Sequence, residues 1–269
     1  MAVLNLDVAE TKMKKGVPFL ARLGLISKGF VYVVLGVLAF MAAFRIGGKS
    51  GKDADTGGVL DSVNDSSVGN WLLPLLAAGL LCYSIWRFVE AARHIKDEVK
   101  KALRYLLSGL VYLSLSLTAF KFAFSGSKKD GDNQQQIASE LLSKPFGQWL
   151  LLIAALIIAG IGAYQIYYAL SEKYKKHVQK MNLHTKASTL MLSAGKIGYL
   201  ARGIVWLVIA YLMVQASWAA SSAKAGDTGK AFETIEDSPM GVYLLAVLGV
   251  GLMAYGCFNF IRARYESLH

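Results

Sequence analysis

The sequence predicts an all-α polytopic membrane protein: six transmembrane helices arranged as three parallel two-helix repeats with pseudo-threefold symmetry. Three observations carry that prediction. Of the 269 residues 55% are hydrophobic and the mean hydropathy is +0.42, both high for a soluble domain of this size. Six runs, at 25–44, 71–92, 103–124, 149–170, 198–220 and 242–261, each supply the roughly 20 apolar residues that a hydrocarbon core demands. In the odd-numbered runs a small residue is followed three positions on by an aromatic and seven on by another small residue: Gly29/Tyr32/Gly36, Gly109/Tyr112/Ser116 and Gly203/Trp206/Ala210.

Offsets of three and seven share one helix face, so each copy offers a neighbour the same profile of notch, ring and notch. Packing at Gly29, Gly109 and Gly203 is the expected role, with the lining of a ligand cavity as the alternative. The repeats take residues 19–96, 97–174 and 196–269. They are preceded by a polar tail, 1–18, broken by Gly16 and Pro18, and interrupted by a basic linker, 175–195.

Within the first copy, the outer loop after span one is rich in Gly, Asp and Ser. Its Asp55-Thr56-Gly57-Gly58 matches Asp227-Thr228-Gly229-Lys230 in the third copy, each starting 14 residues before the glycine that opens the next span. Those glycines are Gly69 and Gly241, with Gly147 as their counterpart. A turn and a short surface helix are expected between. Asp53, Asp55, Asp61 and Asp65 lack calcium-loop spacing and are read as solvating the loop.

The even spans open alike, with an aromatic at Trp71, Trp149 and Tyr243 at the headgroup belt. They close on Tyr83-Ser84-Ile85-Trp86, Tyr164-Gln165-Ile166-Tyr167 and Tyr255-Gly256-Cys257-Phe258. Twelve residues separate aromatic and tyrosine in copies one and three, but 15 separate Trp149 from Tyr164. That span is expected to be longer, more tilted or locally rewound. After it, Lys173, Lys175, Lys176 and Lys180 precede Met181 and Leu183, which suits either an interfacial amphipathic helix or a solvated loop.

Charge sets the orientation. The tail carries five Lys or Arg, the link between spans two and three six, the link between spans four and five seven and the C-terminus two, whereas the alternate loops share nine. The positive-inside bias therefore puts both termini in the cytoplasm and accounts for the net charge of +11 without nucleic acid. The partners expected are the bilayer itself, anionic lipids and a membrane protein.

Leu20-Ala21-Arg22-Leu23-Gly24 with Lys28-Gly29-Phe30-Val31-Tyr32, and Gly198-Tyr199-Leu200-Ala201-Arg202-Gly203 in the third copy, resemble the bacterial membrane family known as domain of unknown function 1206. The resemblance spans about residues 20–265; the middle copy departs with Ser108 at the position of Lys28 and Arg202. It implies a six-span bacterial inner-membrane protein and no particular activity.

Lys28 and Arg202 are the charges set inside the cytoplasmic ends of spans. Long side chains there either snorkel to the interface or hold an anionic lipid or phosphate. Gln165 and Asn259 are expected to bond between helices or, with Tyr83, Tyr164 and Tyr255, to line a polar cavity. None of the four histidines lies within a span or at metal-ligand spacing with a carboxylate or cysteine, and no nucleophile elbow, phosphate loop or paired-carboxylate pattern occurs. The expectation is a non-catalytic scaffold or accessory subunit without cofactor, metal or catalytic residues. The alternative is a small transporter or channel with its cavity on the pseudo-threefold axis.

Overall fold

The computed structural model describes residues 2–95, 98–125, 133–144, 146–175 and 185–266. Apolar runs of this length satisfy their backbone polar groups in lipid only as helices, and six long ones form: α1 (Ala2–Ala43), α3 (Gly69–His94), α4 (Val99–Ser125), α6 (Gly147–Leu170), α7 (Thr185–Trp218) and α9 (Gly241–Tyr265). Each contains a stretch long and apolar enough to cross a membrane: Phe19–Ala43, Gly69–His94, Val99–Phe124, Gly147–Leu170, Ser188–Trp218 and Gly241–Tyr265. The chain is a multi-pass membrane protein. Short helices α2 (Thr56–Asn64), α5 (Asn133–Leu142) and α8 (Thr228–Glu236) follow α1, α4 and α7.

Two expectations change. Gly16 and Pro18 do not break the chain, because the backbone of α1 is helical from Ala2 onward. Nor is α6 longer than its counterparts, at 24 residues against 26 for α3 and 25 for α9. The later tyrosine of α6 is a displaced motif, one turn further along a helix of ordinary length. Pro145, and residues 176–184 of the basic linker with His177 and His184, lie outside the described residues.

Each even helix packs on the odd helix that follows it in repeat order: α3 on α4, α6 on α7, and α9 back on α1. The small residues make those contacts. A Cβ on Gly29 would lie 2.9 Å from the Gly256 carbonyl oxygen, one on Gly109 2.6 Å from the Phe88 ring, and one on Gly203 3.0 Å from the Gly162 carbonyl oxygen. Where lipid replaces water, such close approach is what contributes dispersion energy. Hydroxyls reinforce two of these seams: Ser84 donates to the Gly109 carbonyl at 2.7 Å and Ser217 to that of Gln148 at 2.8 Å. The first and third repeats also pack their own hairpins, α1 on α3 and α7 on α9, whereas α4 and α6 share no extended interface.

Carboxylates in the segments between these spans cap helices. Asp55, only 5% exposed, accepts from the Gly58 N–H at 2.6 Å at the start of α2, and Asp227 accepts from the Lys230 N–H at 3.1 Å at the start of α8. Asp53 closes a reciprocal capping box with Ser50. Solvating the loop is thus the lesser part of what Asp53 and Asp55 do. The glycines that open the even spans have a common cause: a Cβ on Gly69, Gly147 or Gly241 would run into the carbonyl oxygen of Val63, Leu141 or Ile235, at 2.5, 1.9 and 2.3 Å, at the end of the preceding short helix.

Candidate functional site

Four basic side chains converge between the long helices at the end opposite the short helices α2, α5 and α8: Lys28 on α1, Arg87 on α3, Arg202 on α7 and Arg262 on α9. All three arginines stand close enough to Lys28 for their charges to act on its ammonium. Counted from the helix ends next to the short helices at 1.5 Å per residue, Lys28, Arg202, Arg87 and Arg262 lie about 23, 24, 27 and 32 Å along. Against a hydrocarbon core of about 30 Å, that is near its far boundary, where phosphates sit.

Lys28 does not snorkel. It is 6% exposed, donates to the Tyr83 hydroxyl at 3.4 Å, and its Nζ is 5.2, 5.3 and 5.4 Å from the ring centroids of Tyr83, Tyr112 and Tyr255. Those rings come from α3, α4 and α9, one from each repeat, and they form a cage around one cation. Arg87 also donates to the Tyr83 hydroxyl and lies 4.4 Å from the Trp86 ring. Arg202 donates to the Tyr255 hydroxyl at 2.5 Å and covers the rings of Tyr32 and Tyr255 at 4.9 and 4.5 Å.

The rings themselves interlock across repeats. Tyr32 meets Tyr255 edge-on at 4.8 Å and Tyr112 meets Tyr83 edge-on at 4.4 Å, so in two of the three notch patterns the aromatic seats on the tyrosine of the helix before it. Tyr199 extends the cluster to Tyr168, Tyr255 and Phe258 at 5.0, 5.2 and 5.9 Å.

Charge is poorly balanced here. Arg262 is held by Glu266 through two bonds, Nε to Oε2 at 2.6 Å and Nη2 to Oε1 at 3.1 Å. Among the described residues no carboxylate pairs with Lys28, Arg87 or Arg202, and the Nε atoms of Arg87 and Arg202 are buried without a hydrogen-bond partner. A cation–π contact recovers about 0.5–2 kcal/mol. Several kcal/mol are lost for each ion taken out of water, so three cations caged by rings leave a deficit that an anion would relieve.

Other anticipated residues fall elsewhere. Tyr83 and Tyr255 are fully buried in the cluster, at 0% and 1% exposure, but Tyr164 is 45% exposed and stands outside it. The register explains this: Ile161, 12 residues after Trp149, occupies the place of Tyr83 and Tyr255, and Gly162 packs where Ser84 and Gly256 do. Asn259 does not bond between helices. Its Nδ2 donates to the Tyr255 carbonyl of its own helix at 2.7 Å, and its Oδ1 is buried without a partner, as is Oε1 of Gln165. Arg87 and Arg262 had counted only as topology charges. Their spacing of four and seven from Tyr83 and Tyr255 was the signal, since those offsets share a face with the tyrosine.

Comparison with known proteins agrees with the repeat. The chain is similar to an uncharacterized protein, YxxB, of Bacillus subtilis (strain 168), at 25% identity over 276 aligned positions that cover 100% of this chain and 98% of that one. No solved structure matches it. The profile of the family described as Domain of Unknown Function (DUF1206) matches three times in tandem, at residues 23–94, 103–172 and 197–266. Three copies in that order make the chain a member of the DUF1206 family.

Proposed function

We propose that this protein is a non-catalytic scaffold or accessory subunit of the bacterial inner membrane, built to hold an anionic lipid headgroup at Lys28 and Arg202, with Arg87 completing the site. The observation that carries the reading is the carboxylate-free trio of cations, Lys28 buried and Arg87 and Arg202 half-buried with unpartnered, buried Nε atoms. Both termini face the cytoplasm in this reading, so the cluster meets the anionic leaflet. The thrice-repeated packing of an even helix on the next odd helix supports closure about a pseudo-threefold axis along the membrane normal. Complete burial of Tyr83 and Tyr255 speaks for a packed interior at their depth and against an open channel there.

Thermal unfolding of the full chain in detergent tests this. Added phosphatidylglycerol should raise the midpoint and phosphatidylcholine should not, and the response should vanish in the double variant K28M/R202M. An equal response in the double variant would refute the site.

A further inference from the structure

In the order α1, α3, α4, α6, α7, α9 and back to α1, five neighbouring pairs pack along their lengths and one, α4 with α6, shares no extended interface among the described residues. The sequence supplies the cause. A Cβ on Gly24 would lie 2.6 Å from the Cα of Tyr83, and one on Gly198 2.7 Å from the Cα of Tyr255, so in repeats one and three the two helices touch backbone to side-chain root. The middle repeat has Arg104 at that position, whose Nη1 instead reaches the Tyr164 hydroxyl at 3.3 Å. An arginine cannot make the glycine's approach, and α4 and α6 are the least buried of the six spans.

The seam has an apolar wall and a charged inner end. Helical spacing from Arg104 runs the exposed Leu107 and Val111 along α4, and from Tyr164 it runs the exposed Ile157 and Ile161 along α6. At the inner end Tyr168 of α6 is within electrostatic reach of Arg104, Arg262 and Glu266. Tyr112 of α4 presents its ring to Lys28 and is within the same reach of Arg202. The one unclosed pair of helices therefore leads from the bilayer to the cations.

We propose that this seam seats a two-chain anionic phospholipid, with acyl chains between α4 and α6, its phosphate drawn to Arg104 and Arg202, and the Arg104–Tyr164 pair as a latch at the headgroup end. This rests on the cluster being an anion site, and it commits to a source: the ligand arrives sideways from the leaflet, since a free phosphate has no use for an apolar wall.

The test is native mass spectrometry of the full chain released from bilayers of mixed phosphatidylglycerol and phosphatidylcholine. R104G should let the middle hairpin close like the others, and I161W should plug the seam without touching a charge. R104G should retain phosphatidylglycerol about tenfold less well than the parent, the scale set by one lost charge-assisted contact, and I161W should lose retention by excluding the acyl chains. Should R104G not fold, I161W decides alone. Undiminished retention in both overturns the seam but leaves the anion site standing. Undiminished retention in K28M/R202M overturns the site beneath it. Ready displacement of the lipid by excess inorganic phosphate also overturns the seam, because it assigns the site to a soluble anion.

Discussion

Gly36 on α1 and Gly249 on α9 face one another so closely that a Cβ on either would lie 2.5 or 2.7 Å from the other's carbonyl oxygen. One turn pair away, Gly29 and Gly256 repeat the contact, at 2.9 and 2.6 Å. Two glycines seven apart on each helix thus make a reciprocal seam that joins the first repeat to the third. Overpacking a tight contact costs about 1–3 kcal/mol, and here the obstacle is backbone, which cannot rotate away. G36V or G249V should therefore lower the thermal midpoint by more than L103V on exposed Leu103, and co-expressed halves split between residues 126 and 132 should no longer copurify when either is present.

The loop between α1 and α3 carries a pH signature. Burial alone would raise the carboxyl of Asp53, but the Ser50 N–H and hydroxyl both donate to it at 2.9 Å, and Lys49 and Lys52 add to the effect, so its pKa falls below the ordinary 3.8. A carboxylate depressed on folding contributes stability above its unfolded value, and that contribution disappears as pH falls through the folded one. Amide exchange across 50–60 should accelerate below pH 3.8 relative to D53N measured at the same pH, and D53N should show no such step. D55A should cost about 1 kcal/mol at neutral pH, as loss of a helix N-cap does.

Lys28 separates stability from binding. Removing a buried cation that is repelled by three arginines and held only by tyrosine rings and one long bond to the Tyr83 hydroxyl should be neutral or stabilising. In phosphatidylcholine, K28M should keep or raise the thermal midpoint of the parent; in phosphatidylglycerol it should gain less than the parent does. A K28M midpoint that drops equally in both lipids would mean that the ammonium matters as packing alone.

The architecture was legible because hydrophobic length and the three-and-seven offset are one-dimensional signals of helix and face. Gly29, Gly109 and Gly203 could be named as notches, yet nothing in the spacing said that each faces the preceding repeat instead of its own hairpin partner. Tyr164 was misplaced because matching a four-residue motif overrode counting from the helix start, and packing follows the count, with Ile161 in the tyrosine's place. Arg87 and Arg262 were hidden by their usefulness as topology charges: a basic residue near a helix end reads the same whether it turns toward water or inward. Arg104 was read likewise, and only the close approach at Gly24 and Gly198 reveals what its presence prevents.

Arg262 and Glu266 are 8% and 9% exposed and share two bonds one helical turn apart, which makes this pair the carboxylate-bound part of the cluster. Breaking it from the acidic side leaves a fourth cation among Lys28, Arg87 and Arg202, and such an uncompensated buried charge costs about 3–5 kcal/mol. E266Q should accordingly be strongly destabilising, while R262M/E266Q, which removes both charges, should recover most of the loss. The two single variants and the double form a cycle whose coupling energy is read from unfolding midpoints. Anionic lipid should rescue E266Q in proportion to its concentration, because the phosphate supplies the charge that the glutamate no longer does; rescue of equal size by phosphatidylcholine would instead mark a general effect of lipid on the fold.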